Sequence, residues 1–162
     1  MNKMVSFLIP FLLMGCATPY QKLGDEGGYL QQKVGEEIYK VTFRGNGWTE
    51  YKRAQDFALL RAAEIGRELG YSHLTIEGEE DCSRTSVMDM GSTSYTTGSV
   101  YSGMYSGTTT TYRDEMEMKK PGVILIVRYY EGEPKGRHLE THGVDGIINT
   151  MEVKYGLKLN SH

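Results

Sequence analysis

The sequence predicts an α+β domain: a single mixed sheet of four to five strands in the order ββαβββα, two helices packed on one face, and a long Ser/Thr/Gly/Tyr-rich loop. Three observations predict it. Residues 38–44 alternate apolar and polar side chains at the two-residue period of a strand. Residues 50–69 repeat apolar side chains at the helical period. Residues 123–127 form an unbroken apolar run, as a central strand does. The chain has 162 residues, 39% apolar content, net charge −3 and two cysteines. That is the size of one domain, with no basic face for nucleic acid and no disulfide scaffold.

In chain order, residues 29–34 and 38–44, separated by Gly35-Glu36-Glu37, read as a hairpin in which Tyr39, Val41 and Phe43 face the core. After Gly45-Asn46-Gly47-Trp48, Thr49 caps a helix that runs to Leu69, with Glu50 in its first turn and Gly70 at its end. Tyr51, Ala54, Phe57, Ala58, Ala62, Ile65 and Leu69 share one helix face, and Arg61 falls inside that stripe. A charge there must be paired or reach out to water, so Arg61 is a candidate buried structural charge, with an anionic ligand as the alternative. Residues 71–77 form the next strand, with Leu74 and Ile76 inward, reached by a right-handed parallel crossover. Residues 115–119 and 123–127 make a second hairpin about Pro121-Gly122. Val144, Ile147, Ile148, Met151 and Tyr155 recur at helical spacing in a closing helix that ends at Gly156.

Residues 83–112 are the loop. Of these 30 residues, 23 are Ser, Thr, Gly or Tyr, which cannot build a core. Tyrosines spaced among small polar residues give apolar contact at low entropic cost. Tyr95, Tyr101 and Tyr105 are therefore the candidate recognition residues, with an envelope protein or glycan as partner and a solvated loop without a partner as the alternative.

The amino terminus carries Lys3, an apolar run over residues 4–14, and a small residue before Cys16, which together read as an export signal. The run is too short to cross a bilayer. Leu13-Met14-Gly15-Cys16 resembles the lipobox of bacterial lipoproteins, Met14 being the one unusual filler. The resemblance implies cleavage between Gly15 and Cys16, a diacylglyceryl group on the Cys16 thiol, and acylation of the freed amine. Residues 1–15 are then the signal, 16–28 the lipidated cysteine and a flexible tether, and 29–162 the domain. Two or three acyl chains exceed the limit of reversible single-chain binding. Ala17 stands where an Asp would imply inner-membrane retention, so the expected address is the periplasmic face of the outer membrane.

Catalytic patterns are sparse. Gly45-Asn46-Gly47 lacks the last glycine of a dinucleotide fingerprint, Glu50 standing there instead, and reads as turn chemistry rather than a nucleotide site. His138 and His142 lie four apart without a third ligand, matching no zinc-enzyme motif. Cys82 follows Glu79, Glu80 and Asp81, which disfavour a thiolate. No cofactor, metal or catalytic residue is assigned. The alternatives to a binding role are a hydrolase of envelope polymers, with a site near Arg61 or the His138/His142 segment, and a periplasmic metal-binding protein.

Several stretches together resemble a family of small envelope lipoproteins known from Caulobacter-type genomes: CATPYQ at 16–21, GGY at 27–29, FRGNGWT at 43–49, DFALLRAAE at 56–64, KPGVILIVR at 120–128 and KYG at 154–156. The resemblance covers nearly all of the chain after the signal. It implies lipid anchoring and a shared domain, and it carries no activity to this chain.

Overall fold

The computed structural model describes residues 17–134 and 140–159. The elements are β1 (Gly28–Lys33), β2 (Ile38–Arg44), α1 (Tyr51–Glu68), β3 (His73–Asp81), β4 (Arg84–Tyr101), β5 (Met104–Lys120), β6 (Gly122–Tyr130), β7 (Thr141–Gly143) and α2 (Val144–Tyr155). Five strands form one sheet in the order β1-β2-β6-β3-β7, each neighbouring pair antiparallel. The α+β class and two helices agree with the sequence; the single mixed sheet does not, because no two neighbouring strands of the sheet are parallel and β4 and β5 form a separate two-stranded ribbon.

The apolar run of β6 explains the strand order. Val123, Leu125, Val127 and Tyr129 are buried, and a strand so apolar gains most with neighbours on both edges. It takes β2 and β3, so the expected hairpin of residues 115–119 with 123–127 does not form. Pro121 stands between β5 and β6 without an N–H for a ladder. β2 and β3 do run parallel to each other, as the crossover requires, but β6 lies between them.

The helices pack against each other and share one core with the sheet. On α1, Ala54, Phe57, Ala58, Leu60, Ala62 and Ile65 are buried, and the alanines let the backbone approach β6. The buried Tyr129 hydroxyl donates to the Ala62 carbonyl at 2.7 Å, joining strand to helix. Phe57 is the centre of an aromatic cluster, edge-on to Tyr20, Phe43 and Tyr155 at 5.3, 5.3 and 4.8 Å between centroids. α2 ends at Gly156, whose left-handed φ of 62° suits a residue without a Cβ.

Two local expectations are corrected. The N-cap of α1 is Glu50 rather than Thr49, because the Thr49 hydroxyl accepts the Thr18 N–H at 3.0 Å and donates to Asn46 Oδ1 at 3.0 Å. That same bond overturns the flexible tether. Thr18 is fully buried; its hydroxyl donates to the Glu26 carbonyl and accepts the Asn46 N–H, both at 2.8 Å. Tyr20 packs on Tyr29 and Phe57 and donates to Glu64, and the Leu23 N–H reaches the Tyr29 carbonyl at 2.8 Å. The described residues of segment 17–28 are thus docked on the domain by Thr18, whose backbone N–H and hydroxyl meet partners 31 and 28 residues away in sequence, and by Tyr20, whose partner is 44 away.

Candidate functional site

The segment expected as a loop is most of a β-ribbon. Its threonines, tyrosines and valines favour extended backbone. At its tip Ser102 and Gly103 have φ of 50° and 80°, the two-residue turn whose twist matches antiparallel strands. The ribbon is roughly 55 Å long at the usual rise per residue. Residues 90–112 contain no charged side chain.

The register sorts the ribbon into two unlike faces, since opposed residues project the same way. One carries the Met88↔Met116 pair, Met118 opposite Ser86, Tyr95 opposite Thr110, Tyr112 opposite Thr93, and Tyr101 opposite Met104. Tyr95 and Tyr112 meet across the strands at 6.1 Å between centroids, and Tyr101 is 85% exposed. The other face pairs Asp89 with Glu115 and Ser92 with Arg113, and carries hydroxyl rungs Ser94–Thr111 and Thr96–Thr109 at 2.8 and 2.9 Å. Tyr105 lies on this second face, over the Gly98↔Gly107 pair, where a side chain on either glycine would strike its ring. The three tyrosines singled out from sequence are therefore divided. Tyr95 and Tyr101 share the methionine face, Tyr105 does not, and Tyr112, Met88, Met104 and Met116 join it. Taking Ser102-Gly103 as the turn and counting alternate residues outward finds all of them but Met88, which the bulge between Asp89 and Ser92 shifts by one position.

The ribbon continues the β3–β6 pair. Only Cys82-Ser83 and Pro121 intervene, with the Cys82 N–H bonded to the Gly122 carbonyl at 2.9 Å. Its root sits against the β2–α1 loop: the Gly45 N–H reaches the Pro121 carbonyl at 2.8 Å, and a Cβ on Gly47 would overlap the Met118 sulfur. Asn46 Oδ1 accepts from the Trp48 N–H at 3.0 Å, so Gly45-Asn46-Gly47 is a turn that seats the ribbon. Burial, then Asp81 and Glu80, push the Cys82 thiol up against the opposing pull of Arg44, which keeps it protonated at neutral pH.

Next to this root, Ala17, Trp48, Glu50, Lys52, Arg53 and Lys154 border a cleft of about 340 Å³. Beneath it is Asp56, its side chain 3% exposed, paired with Lys52 at 2.9 Å and with Lys154, and accepting the Tyr155 hydroxyl at 2.7 Å. Burial alone would raise this carboxyl; hydrogen bonds from Lys154, Tyr155 and Lys52 outweigh it and hold the group below the usual carboxylate range. A depressed folded pKa means the stabilisation is complete above the unfolded value of about 4 and is lost as pH falls through the folded one. Asp56→Asn is expected to destabilise by about 1–3 kcal/mol at pH 7 and to flatten the fall in stability below pH ~4. Urea unfolding across pH 2.5 to 7, a window of about four units chosen to span that pKa, checks both.

Arg61 lies across α1 from this cluster and is 8% exposed. It donates from Nε to Gln31 at 2.6 Å and from its terminal nitrogens to Glu64 and Glu68, each with a contact at 2.9 Å, and stacks over Tyr29 at 5.0 Å. Burial works against its charge, but the two carboxylates outweigh that and raise its pKa. With both carboxylates in contact, this guanidinium offers an anionic ligand no vacant side.

Cys16, Gly15 and His138 lie outside the described residues, and His142 sits in β7 opposite Leu74. Among the described residues no three His, Cys, Asp or Glu side chains are placed to hold a metal, and no helix is long and apolar enough to cross a membrane. Comparison with protein-family models, curated proteins and solved structures returned no match.

Proposed function

We propose that the chain is a lipid-anchored protein of the bacterial envelope, held at the periplasmic face of the outer membrane by acylated Cys16, and that it works by binding rather than catalysis, with the β4–β5 ribbon as its contact element. The observation that carries the binding role is the exposed face of Tyr95, Tyr101, Tyr112, Met88, Met104 and Met116 on a ribbon that stands apart from the core sheet. An isolated two-stranded ribbon is marginal in water, and exposed tyrosines and methionines gathered on one of its faces mark an interaction site. The partner is an envelope protein or glycan. No nucleotide, cofactor or nucleic acid enters this reading.

Purified acylated protein, offered a detergent-solubilised envelope extract, is expected to retain a protein or glycan partner. Replacing Tyr95, Tyr101 and Tyr112 with Ser should lower that capture more than about tenfold, because aromatic anchors carry most of an interface's energy. Tyr105→Ser, on the opposite face, should leave it nearly unchanged. Equal capture by the triple variant would contradict the assignment.

A further inference from the structure

We infer that the cleft beside Ala17 seats an anionic phospholipid headgroup of the membrane that holds the protein, with Arg53, Lys52 and Lys154 facing its phosphate and Trp48 at headgroup level. The inference rests on the lipid-anchor reading. Arg53 is the deciding group. Its guanidinium lies over the Phe57 and Tyr155 rings at 5.0 and 5.4 Å, its buried Nε has no acceptor, and no described carboxylate pairs with it. A guanidinium laid over two touching rings, with no carboxylate on it, keeps its terminal nitrogens for an anion from outside. Lys52 and Lys154 both lean on Asp56, so the three cations outnumber Asp56 and the exposed Glu50 by one.

The address of the cleft points to the bilayer as the source of that anion. Ala17 lines it, and Cys16 is its preceding neighbour in the chain, one Cα step or about 3.8 Å away. Acyl chains on Cys16 would bring the membrane surface to the mouth of the cleft. Trp48, 67% exposed in the same wall, has the amphipathic ring that settles at a membrane interface. Basic residues near an anionic surface each add about fivefold in affinity.

Trp48 is the single tryptophan, so its fluorescence reports on the cleft alone. The full acylated protein, its acylation verified by mass, is reconstituted into vesicles of phosphatidylcholine with or without phosphatidylglycerol. In the anionic vesicles Trp48 emission is expected to move to shorter wavelength, and its quenching by aqueous acrylamide to fall relative to neutral vesicles. Arg53→Gln and, separately, Lys154→Gln should each restore most of the quenching with an unchanged circular dichroism spectrum, and added salt should restore it in the unaltered protein. Equal quenching in both vesicles, in a protein that is acylated and vesicle-bound, overturns the headgroup site and leaves the anchor standing. A protein that is not acylated overturns the anchor, and this inference with it. A response to inorganic phosphate in detergent, with none to phosphatidylglycerol, overturns the lipid as the source of the anion.

Discussion

Arg61→Met is expected to destabilise the domain by about 3–5 kcal/mol, the cost of leaving a buried carboxylate without its cation. The carboxylate is Glu64, whose side chain is 12% exposed and which also accepts the Tyr20 hydroxyl. Glu68, the other partner, is 57% exposed and can turn to water, so Glu64 sets the magnitude. Adding Glu64→Gln to Arg61→Met removes the stranded charge and should recover a large part of the loss. Urea midpoints of the two variants and the unaltered protein measure this. A single variant within about 0.5 kcal/mol of the unaltered protein would show that the ion pair is not structural.

Phe57→Ala is expected to cost about 3–5 kcal/mol, as large-to-small changes in a packed aromatic core do. Three rings close on Phe57, and Arg53 lies over it at 5.0 Å. One of those rings is Tyr20, so the cavity should also loosen segment 17–28 where it is docked. Limited trypsin digestion should then cut after Lys22 well before the core unfolds, whereas the unaltered protein should resist. Loss of stability with no change at Lys22 would mean that the Thr18 hydrogen bonds and the backbone bonds of Gln21 and Leu23 to Tyr29 hold the segment without Tyr20 packing.

The parts of the fold legible in the sequence are those set by local periodicity. The α1 stripe and the β2 alternation are local patterns: Ala54, Phe57, Ala58, Ala62 and Ile65 on α1 and Val41 and Phe43 on β2 are buried as they predict, whereas Leu69, expected on the same stripe, lies just past α1 and is exposed. Strand order was not legible, because β6 chooses neighbours from 78 to 90 positions upstream in β2 and from nearer in β3 on burial that no local window contains. The ribbon was hidden by its composition. Ser, Thr and Gly read as loop, and only the Ser102-Gly103 turn between two runs of Thr, Tyr and Val marks a hairpin. The docking of Thr18 was equally invisible, since one buried threonine among glycines carries no pattern. The Arg53 cleft joins residues of the β2–α1 loop and α1 to Lys154 of α2, a juxtaposition that only the packed helices create.

The central claim is the lipid anchor, because the headgroup cleft and the address of the ribbon's partner both follow from it. The most direct test is intact-mass measurement and membrane fractionation of the native protein beside Cys16→Ser. The expected mass equals residues 16–162 plus acyl chains, in the membrane fraction, with both the added mass and the membrane association lost in the variant. An unacylated native protein in the soluble fraction would contradict it.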